Sequence, residues 1–221
     1  VAEPTVQPHV RERLPDLAVA PELDRARREA LHESTDRELR EGRFHINALR
    51  PQSREIAGMT IGYVGFGRIG QAVATRLKVF GTNGLYADAA VALDATAQVA
   101  LGVRRASLDE VLAAADIVSL HLPLTGETRG LIGRDAIARM KAGAILVNTA
   151  RGRIVDEDAL ADALATGHLA AAGLDVFTKE PPDVSHRLFG MPNVVVTPHI
   201  SAGTRDALAA KMAALFANIV R

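Results

Sequence analysis

The sequence contains no cysteine and no tryptophan, and only two tyrosines and six phenylalanines among its 221 residues. The lack of cysteine excludes a disulfide framework and any cysteine-ligated metal site. The sequence also lacks an apolar run of membrane-spanning length, and its polar start, VAEPTVQPHVRERL, does not resemble a secretory signal. We therefore expect a cytoplasmic protein with no membrane segment.

An excess of charge of either sign is missing as well. Lysine plus arginine number 26, aspartate plus glutamate also number 26, and the formal net charge is zero. Because basic residues dominate nucleic-acid binding, we expect no nucleic-acid partner. The seven histidines show no spacing typical of a metal site, so we expect no bound metal.

Residues 1–55 differ from the rest of the chain. They hold half of the prolines, and arginines alternate with acidic residues in PELDRARREALHESTDRELREG. This stretch predicts a charged helix with only a thin apolar stripe, which cannot form a core of its own. We favour a solvated helix on a larger body, and an arm at a dimer interface is the alternative.

From Thr60 onward, short apolar runs alternate with helical stretches. The runs are TIGYVG, GLYAD, DIVSLHLP, AILVNTA, LAAAGLDV and NVVVTPH, and the stretches between them include RIGQAVATRLKVF and DEDALADALATG. This alternation predicts an α/β fold, a Rossmann-type doubly wound parallel sheet with helices on both faces. We assign this domain to residues 56–204 and a closing helix to residues 205–221.

A glycine-rich stretch, Gly65-Phe66-Gly67-Arg68-Ile69-Gly70, follows the first predicted strand and opens a helix. In a dinucleotide-binding loop, the first glycine permits the turn, the second admits the pyrophosphate, and the third lets helix and strand pack closely. Asp88 ends the next strand, where a carboxylate can bind the adenosine ribose and repels a 2′-phosphate. The pattern predicts NAD rather than NADP, and a glycine turn without a ligand is the alternative.

Three polar residues, Arg151, Glu180 and His199, follow later predicted strands. The carboxyl ends of parallel strands form the edge where open α/β sheets bind ligands. There a histidine can exchange a proton with a substrate oxygen, a glutamate can favour the imidazolium, and an arginine can hold a substrate carboxylate. Singly, each has a structural alternative: a capping or ion-paired arginine, a solvated loop carboxylate, and a hydrogen-bonded strand-end histidine.

Five segments carry a family resemblance: VGFGRIG, SLHLPLTGETRGLI, MKAGAILVNTARGRIVDEDAL, AAAGLDVFTKEPP and VVVTPHISAGT. They resemble the D-isomer-specific 2-hydroxyacid dehydrogenase family, and DVFTKEPP is similar to its phosphoglycerate dehydrogenase-like members. The resemblance implies catalytic roles for Arg151, Glu180 and His199. It also implies cofactor contacts beyond the glycines and Asp88, at Arg68, Ile69, Pro123, Thr149, Ala150, Arg151, Asp175, His199, Ser201 and Ala202.

Two of the residues in these segments have a structural alternative. The resemblance gives Asp175 the carboxamide of the nicotinamide as a partner, and a buried strand-end acid is the alternative. We expect a structural role for His121, because nothing in its motif gives it a proton to move.

The resemblance also implies a separate substrate domain, built mainly from an N-terminal third that has no match here. We therefore expect a cofactor domain with a remnant of the linker, either a fragment of a longer protein or a truncated gene product, that can bind NAD alone without turning over substrate. The predicted function is hydride transfer between NAD and a D-2-hydroxy acid/2-keto acid pair, in a homodimer. The alternative is a non-catalytic NAD-binding fragment or a corepressor-like interaction module.

Overall fold

The computed structural model describes residues 41–42, residues 54–203, and positions 207, 209, 212, 213, 215 and 216. These last six positions are helical, in agreement with the helix predicted at the end of the chain. The predicted N-terminal charged helix lies outside the described residues, except for its last two positions. Over the described ranges, no helix has both the length and the apolar character needed to cross a bilayer.

The described residues contain one sheet of parallel strands in the order β3-β2-β1-β4-β5-β6-β7. The strands are β1 Thr60–Val64, β2 Asn83–Ala87, β3 Val103–Arg105, β4 Ile117–Leu120, β5 Ala144–Asn148, β6 Leu169–Leu174 and β7 Val194–Val196. The chain extends the sheet in one direction from β1 and in the other from β4. The predicted doubly wound fold is therefore confirmed, and its switch point lies between β1 and β4.

Helices connect successive strands. They are α1 Arg68–Lys78, α2 Ala95–Leu101, α3 Leu108–Ala114, α4 Arg134–Arg139 and α5 Glu157–Ala165, with 3₁₀ turns at Gly152–Ile154 and Arg187–Gly190. Ser107 and Glu110 form a capping box at the start of α3, and Asp94 and Asp156 cap α2 and α5. Each cap side chain accepts a hydrogen bond from a backbone N–H that the helix itself leaves unpaired.

The sheet is covered by apolar side chains on both faces. On one face, Ile61 and Tyr63 of β1 pack in a cluster with Val73 and Leu77 of α1. On the other face, the cluster contains Val64 together with residues of α3, α4 and α5. Burial on both faces explains why the strands read as continuous apolar runs without polar alternation.

The sequence patterns missed β3 and α2. Strand β3 has three residues and lies at the sheet edge, and its Arg104 and Arg105 are exposed, so it contains no apolar run. Helix α2 buries none of its residues and therefore shows no amphipathic pattern. Both elements lack the hydrophobic period on which a sequence-based assignment depends.

Gly62 is required by the packing of α3 on β1. A Cβ atom there would lie 2.6 Å from Val111 Cγ1 and 2.8 Å from Ala115 Cβ. We expect Gly62→Ala to lower the free energy of unfolding by about 1–3 kcal/mol, because the added methyl overpacks the core. Urea unfolding followed by circular dichroism measures the change. Gly126→Ala is the matched control, since a Cβ there meets nothing within 4 Å, and an equal loss of stability in both variants would contradict the assignment.

Candidate active site

The glycine loop joins β1 to α1 at the switch point of the sheet. Gly65 has a φ of 88°, and a Cβ there would lie 2.8 Å from the backbone of His121. At Gly70, a Cβ would lie 2.7 Å from the carbonyl oxygen of Gly65. The first and third glycines therefore permit the turn and the close approach of helix and strand, as the sequence predicts.

The second glycine, Gly67, faces open space. It is the N-cap of α1 with a φ of −71°, no side chain caps the helix there, and an added Cβ would meet nothing within 4 Å. The first N–H groups of a helix lack intrahelical partners and favour an anion. The loop thus has the two properties that a dinucleotide pyrophosphate needs, which are room at the backbone and N–H donors.

Asp88 follows β2, and its carboxylate already holds three backbone N–H groups. Oδ2 accepts from Phe66 at 2.6 Å, and Oδ1 accepts from Ala90 at 2.8 Å and Val91 at 2.7 Å. Burial acts to raise the pKa of Asp88, but these hydrogen bonds and the charge of Arg105 keep it below its usual value. A carboxylate has about four acceptor positions, so one is left for a ribose hydroxyl. The ribose contact stays a prediction, and Asp88 also fixes the glycine loop to β2.

Glu180 and His199 lie 19 residues apart in the chain and are in direct contact. His199 Nδ1 lies 2.8 Å from Glu180 Oε2, while Glu180 Oε1 accepts from the backbone N–H of Phe177 at 3.1 Å. The hydrogen bond with His199 is the largest cause that lowers the pKa of Glu180, and the charge of Arg151 adds to it. The contact occupies Nδ1, so Nε2 is the ring nitrogen able to exchange a proton with a ligand.

Asp175 holds the loop that carries His199. Its buried carboxylate accepts from Thr197 Oγ1 at 2.5 Å and from the backbone N–H groups of Ile200 and Ser201 at 2.9 and 3.0 Å. His199 itself has a φ of 53°, in the left-handed region that few residues other than glycine adopt. The structure thus shows the buried strand-end acid, and a contact of Asp175 with the nicotinamide carboxamide stays a prediction.

Arg151 lies in the turn after β5, which the side chain of Asn148 closes. Asn148 Nδ2 donates to the carbonyl of Arg151, and Asn148 Oδ1 accepts from the N–H of Ala150, both at 3.0 Å. The exposed guanidinium donates through Nη1 to the Ala150 carbonyl at 2.6 Å. The charge of Arg151 lies near enough to Glu180 to lower the pKa of that carboxyl. The hydrogen bond of its guanidinium, however, is to a carbonyl of its own turn.

His121 follows β4 beside the glycine loop. Its Nε2 lies 3.0 Å from Ser119 Oγ, and its ring stacks on Tyr63 with a centroid distance of 6.3 Å. Burial lowers the pKa of His121 to about 4, so the ring is neutral at pH 7. These contacts fit the structural role expected for it.

The other predicted cofactor residues also follow strand ends. Arg68 and Ile69 begin α1 and are exposed, and the Pro123 carbonyl after β4 accepts from Thr128 Oγ1 at 2.7 Å. Thr149 and Ala150 follow β5, and Ser201 and Ala202 follow His199. Their contacts with a cofactor stay predictions.

Sequence reasoning missed the residues that hold the site together. These are Asn148, Gly152, Thr197 and the Phe177–Thr178 segment. The signal available for two of them was a polar residue at a strand end: Asn148 is the last residue of β5, and Thr197 follows β7. For Gly152 and the Phe177–Thr178 segment the contact is with the backbone, and no sequence pattern indicates such a contact.

The fold and the open glycine loop together define a dinucleotide-binding domain. Comparison with known families places it further: the family model described as D-isomer specific 2-hydroxyacid dehydrogenase, NAD binding domain, matches residues 27–201. The chain belongs to this family of NAD-binding domains, and the resemblance seen in the sequence is confirmed.

Curated relatives and solved structures indicate the same family. The chain is 53% identical over 153 residues to D-3-phosphoglycerate dehydrogenase of Mycobacterium leprae, covering 69% of this chain and 28% of that protein. It is 44% identical over 171 residues to hydroxypyruvate reductase of Thermotoga maritima, covering 76% and 54%. A crystal structure of D-lactate dehydrogenase with NAD⁺ from Lactobacillus jensenii superposes with a TM-score of 0.73 at 35% identity, covering 87% and 59%. The chain thus spans between about a quarter and three fifths of these proteins.

Filling the space at Gly67 tests the cofactor site. We expect Gly67→Ala to weaken NADH binding by about tenfold or more, because the methyl group occupies the approach of the pyrophosphate. The free energy of unfolding should change little, since the Cβ meets no protein atom. Fluorescence titration with NADH and urea unfolding measure the two effects. Unchanged NADH affinity would show that the cofactor does not pass over this glycine.

The partly buried ring of His121 predicts a pH dependence of stability. The pKa of folded His121 is about 4 against an ordinary value of 6.5, so between these values the unfolded chain binds a proton that the folded chain does not. His121 therefore contributes a loss of stability as the pH falls from 6.5 towards 4, by at most about 1.4 kcal/mol for each pH unit. Urea unfolding across this range should show a smaller slope for His121→Gln. Equal slopes for the two proteins would contradict the lowered pKa.

Proposed function

We propose that the chain is the cofactor domain of an NAD-dependent oxidoreductase that interconverts D-2-hydroxy acids and 2-keto acids. The observation that carries the proposal is the contact between His199 and Glu180, beside Arg151 and at the same sheet edge as the glycine loop. The names of the relatives support the substrate class, because they are dehydrogenases and reductases of small hydroxy and keto acids.

Each residue of the proposed site has a role that follows from its chemistry. Bound at the glycine loop, the nicotinamide cofactor would supply or accept the hydride. His199 gives a proton to the substrate oxygen through Nε2 during reduction of the keto acid and takes it back during oxidation of the hydroxy acid. Glu180 holds Nδ1 on the other side of the ring and orients the imidazole, which leaves Nε2 free to face the substrate.

Arg151 binds the carboxylate common to these substrates. Its guanidinium is exposed and has donors beyond the one used by the Ala150 carbonyl. A planar guanidinium suits a carboxylate because it can donate two parallel hydrogen bonds. The same positive charge can polarise the neighbouring keto group, which favours the arrival of the hydride.

A non-catalytic binding module is the weaker interpretation. Binding NAD requires the glycine loop and Asp88, but it does not require a carboxylate that orients a histidine some 19 residues further along the chain. Pairs of this kind are typical of acid–base catalysis. The Glu180–His199 pair therefore favours an enzyme over a non-catalytic binding module.

We also propose three features of the complete protein: a further domain, its oligomeric state and its location. The relatives are longer than this chain, and we propose that the rest of the substrate cleft comes from a further domain, which closes over the strand ends and excludes water. We further propose a homodimer and a cytoplasmic location. Sedimentation of the complete protein tests the first, and fractionation of cells tests the second.

Substitution of the proposed acid–base pair tests the mechanism in the complete protein. We expect His199→Ala to lower kcat by about 10²–10⁴-fold while leaving NADH affinity within twofold, because the imidazole moves the proton and is only one of many predicted cofactor contacts. Glu180→Gln should lower kcat less and alter its pH profile. Lys179→Ala, an exposed neighbour, is the control that should retain activity. Equal losses of turnover and NADH affinity in His199→Ala would contradict the assigned role.

A further inference from the structure

Side chains of a neighbouring segment hold the loop that carries Glu180 by hydrogen bonds to its backbone. The backbone N–H of Thr178 donates to Glu157 Oε1 at 2.5 Å, and the carbonyl of Thr178 accepts from Arg153 Nε at 3.1 Å. Glu157 is the first residue of α5, and Arg153 belongs to the 3₁₀ turn that follows Arg151. Both backbone groups of Thr178 are therefore bound by side chains of the segment that follows the Arg151 turn.

A direct backbone contact adds to these two hydrogen bonds. A Cβ at Gly152 would lie 1.9 Å from the Phe177 carbonyl carbon and 2.4 Å from Thr178 N. Only a glycine allows this approach, because real Cβ contacts at such distances do not occur. The turn that carries Arg151 thus packs on the peptide between Phe177 and Thr178.

The adjacent peptide group, which contains the N–H of Phe177, supports Glu180. Glu180 Oε1 accepts from Phe177 N, and Glu180 Oε2 contacts His199. A displacement of the Phe177–Thr178 segment would therefore move the anchor of the glutamate and lengthen its contact with the histidine.

We infer that Glu157 and Arg153 are positioning residues, which hold Thr178 so that Glu180 stays in contact with His199 beside the Arg151 turn. The inference rests on the proposed function, in which this pair moves the proton. Two side chains remote from the substrate thus fix the relative positions of the catalytic groups.

Helix stability does not distinguish Glu157 from its neighbour Asp158. The N-cap of α5 is Asp156, whose side chain accepts from Ala159 N at 3.0 Å. The next acidic residue, Asp158, contacts His186 at 3.2 Å. Glu157 and Asp158 are therefore matched carboxylates in the same first turn, with the same relation to the helix dipole, and only Glu157 reaches Thr178.

The test is the titration of the Glu180 carboxyl, followed by carbon-13 NMR in this chain with Glu157→Ala, Glu157→Gln and Asp158→Ala. The parent should titrate below the ordinary value, because His199 lowers the pKa of Glu180. We expect Glu157→Ala to raise that pKa by about half a unit as the contact with His199 loosens. Glu157→Gln keeps an oxygen acceptor for Thr178 N–H and should stay near the parent, as should Asp158→Ala.

Arg153→Met provides a second, independent variant, because it removes the other hydrogen bond and lies outside α5. It should raise the pKa of Glu180 in the same direction, and it carries the test if Glu157→Ala does not fold. A parent-like titration in every folded variant of Glu157 and Arg153, or an equal rise in Asp158→Ala, would overturn the positioning role. A parent Glu180 with an ordinary pKa would instead overturn the Glu180–His199 pair, and with it the proposed function.

In the complete enzyme, Glu157→Ala should lower kcat severalfold with NADH affinity unchanged, and Glu157→Gln should restore most of kcat. Loss of NADH affinity in step with kcat would show a general structural role and contradict the inference.

Discussion

The buried carboxylate of Asp175 is the constraint on which the arrangement of the proposed catalytic residues depends. It is 1% exposed, and it lies at the end of β6 with three donors from the loop after β7. Burial alone would raise the pKa of Asp175, but these hydrogen bonds lower it below its usual value. An unpaired carboxylate in this position would be costly, so the loop that bears His199 is held against β6.

Hydrogen bonds from loop N–H groups to a polar side chain at a strand end also occur elsewhere along this edge of the sheet. Asn148 closes the turn after β5 and its carbonyl accepts from Asp175 N at 3.0 Å, so the end of β5 is linked directly to the residue that follows β6. Asp88 binds the glycine loop to β2 in a similar way. In each case a polar strand-end side chain satisfies backbone N–H groups, and the fixed loops then present Arg151, Glu180 and His199 to solvent. Rigid support beneath exposed functional groups is the arrangement that precise chemistry requires.

Much of this could be predicted from the sequence, because buried strands and a dinucleotide loop leave local patterns. Apolar runs marked six of the strands, and the spacing of Gly65, Gly67 and Gly70 marked the cofactor loop. The short edge strand β3 and the exposed helix α2 bury too little to leave such a pattern. The contacts of Glu157 and Gly152 with the Phe177–Thr178 peptide join residues more than twenty positions apart. They depend on tertiary packing, which periodicity does not encode.

Calorimetric titration of the chain with NADH and, separately, with NADPH decides whether the glycine loop and Asp88 form an NAD site. We expect NADH to bind and NADPH to bind more weakly, because the predicted ribose contact of Asp88 would set its carboxylate against a 2′-phosphate. Equal binding of the two nucleotides would contradict the role of Asp88 in cofactor choice. The absence of binding to either would contradict the assignment of the glycine loop as a cofactor site in this chain.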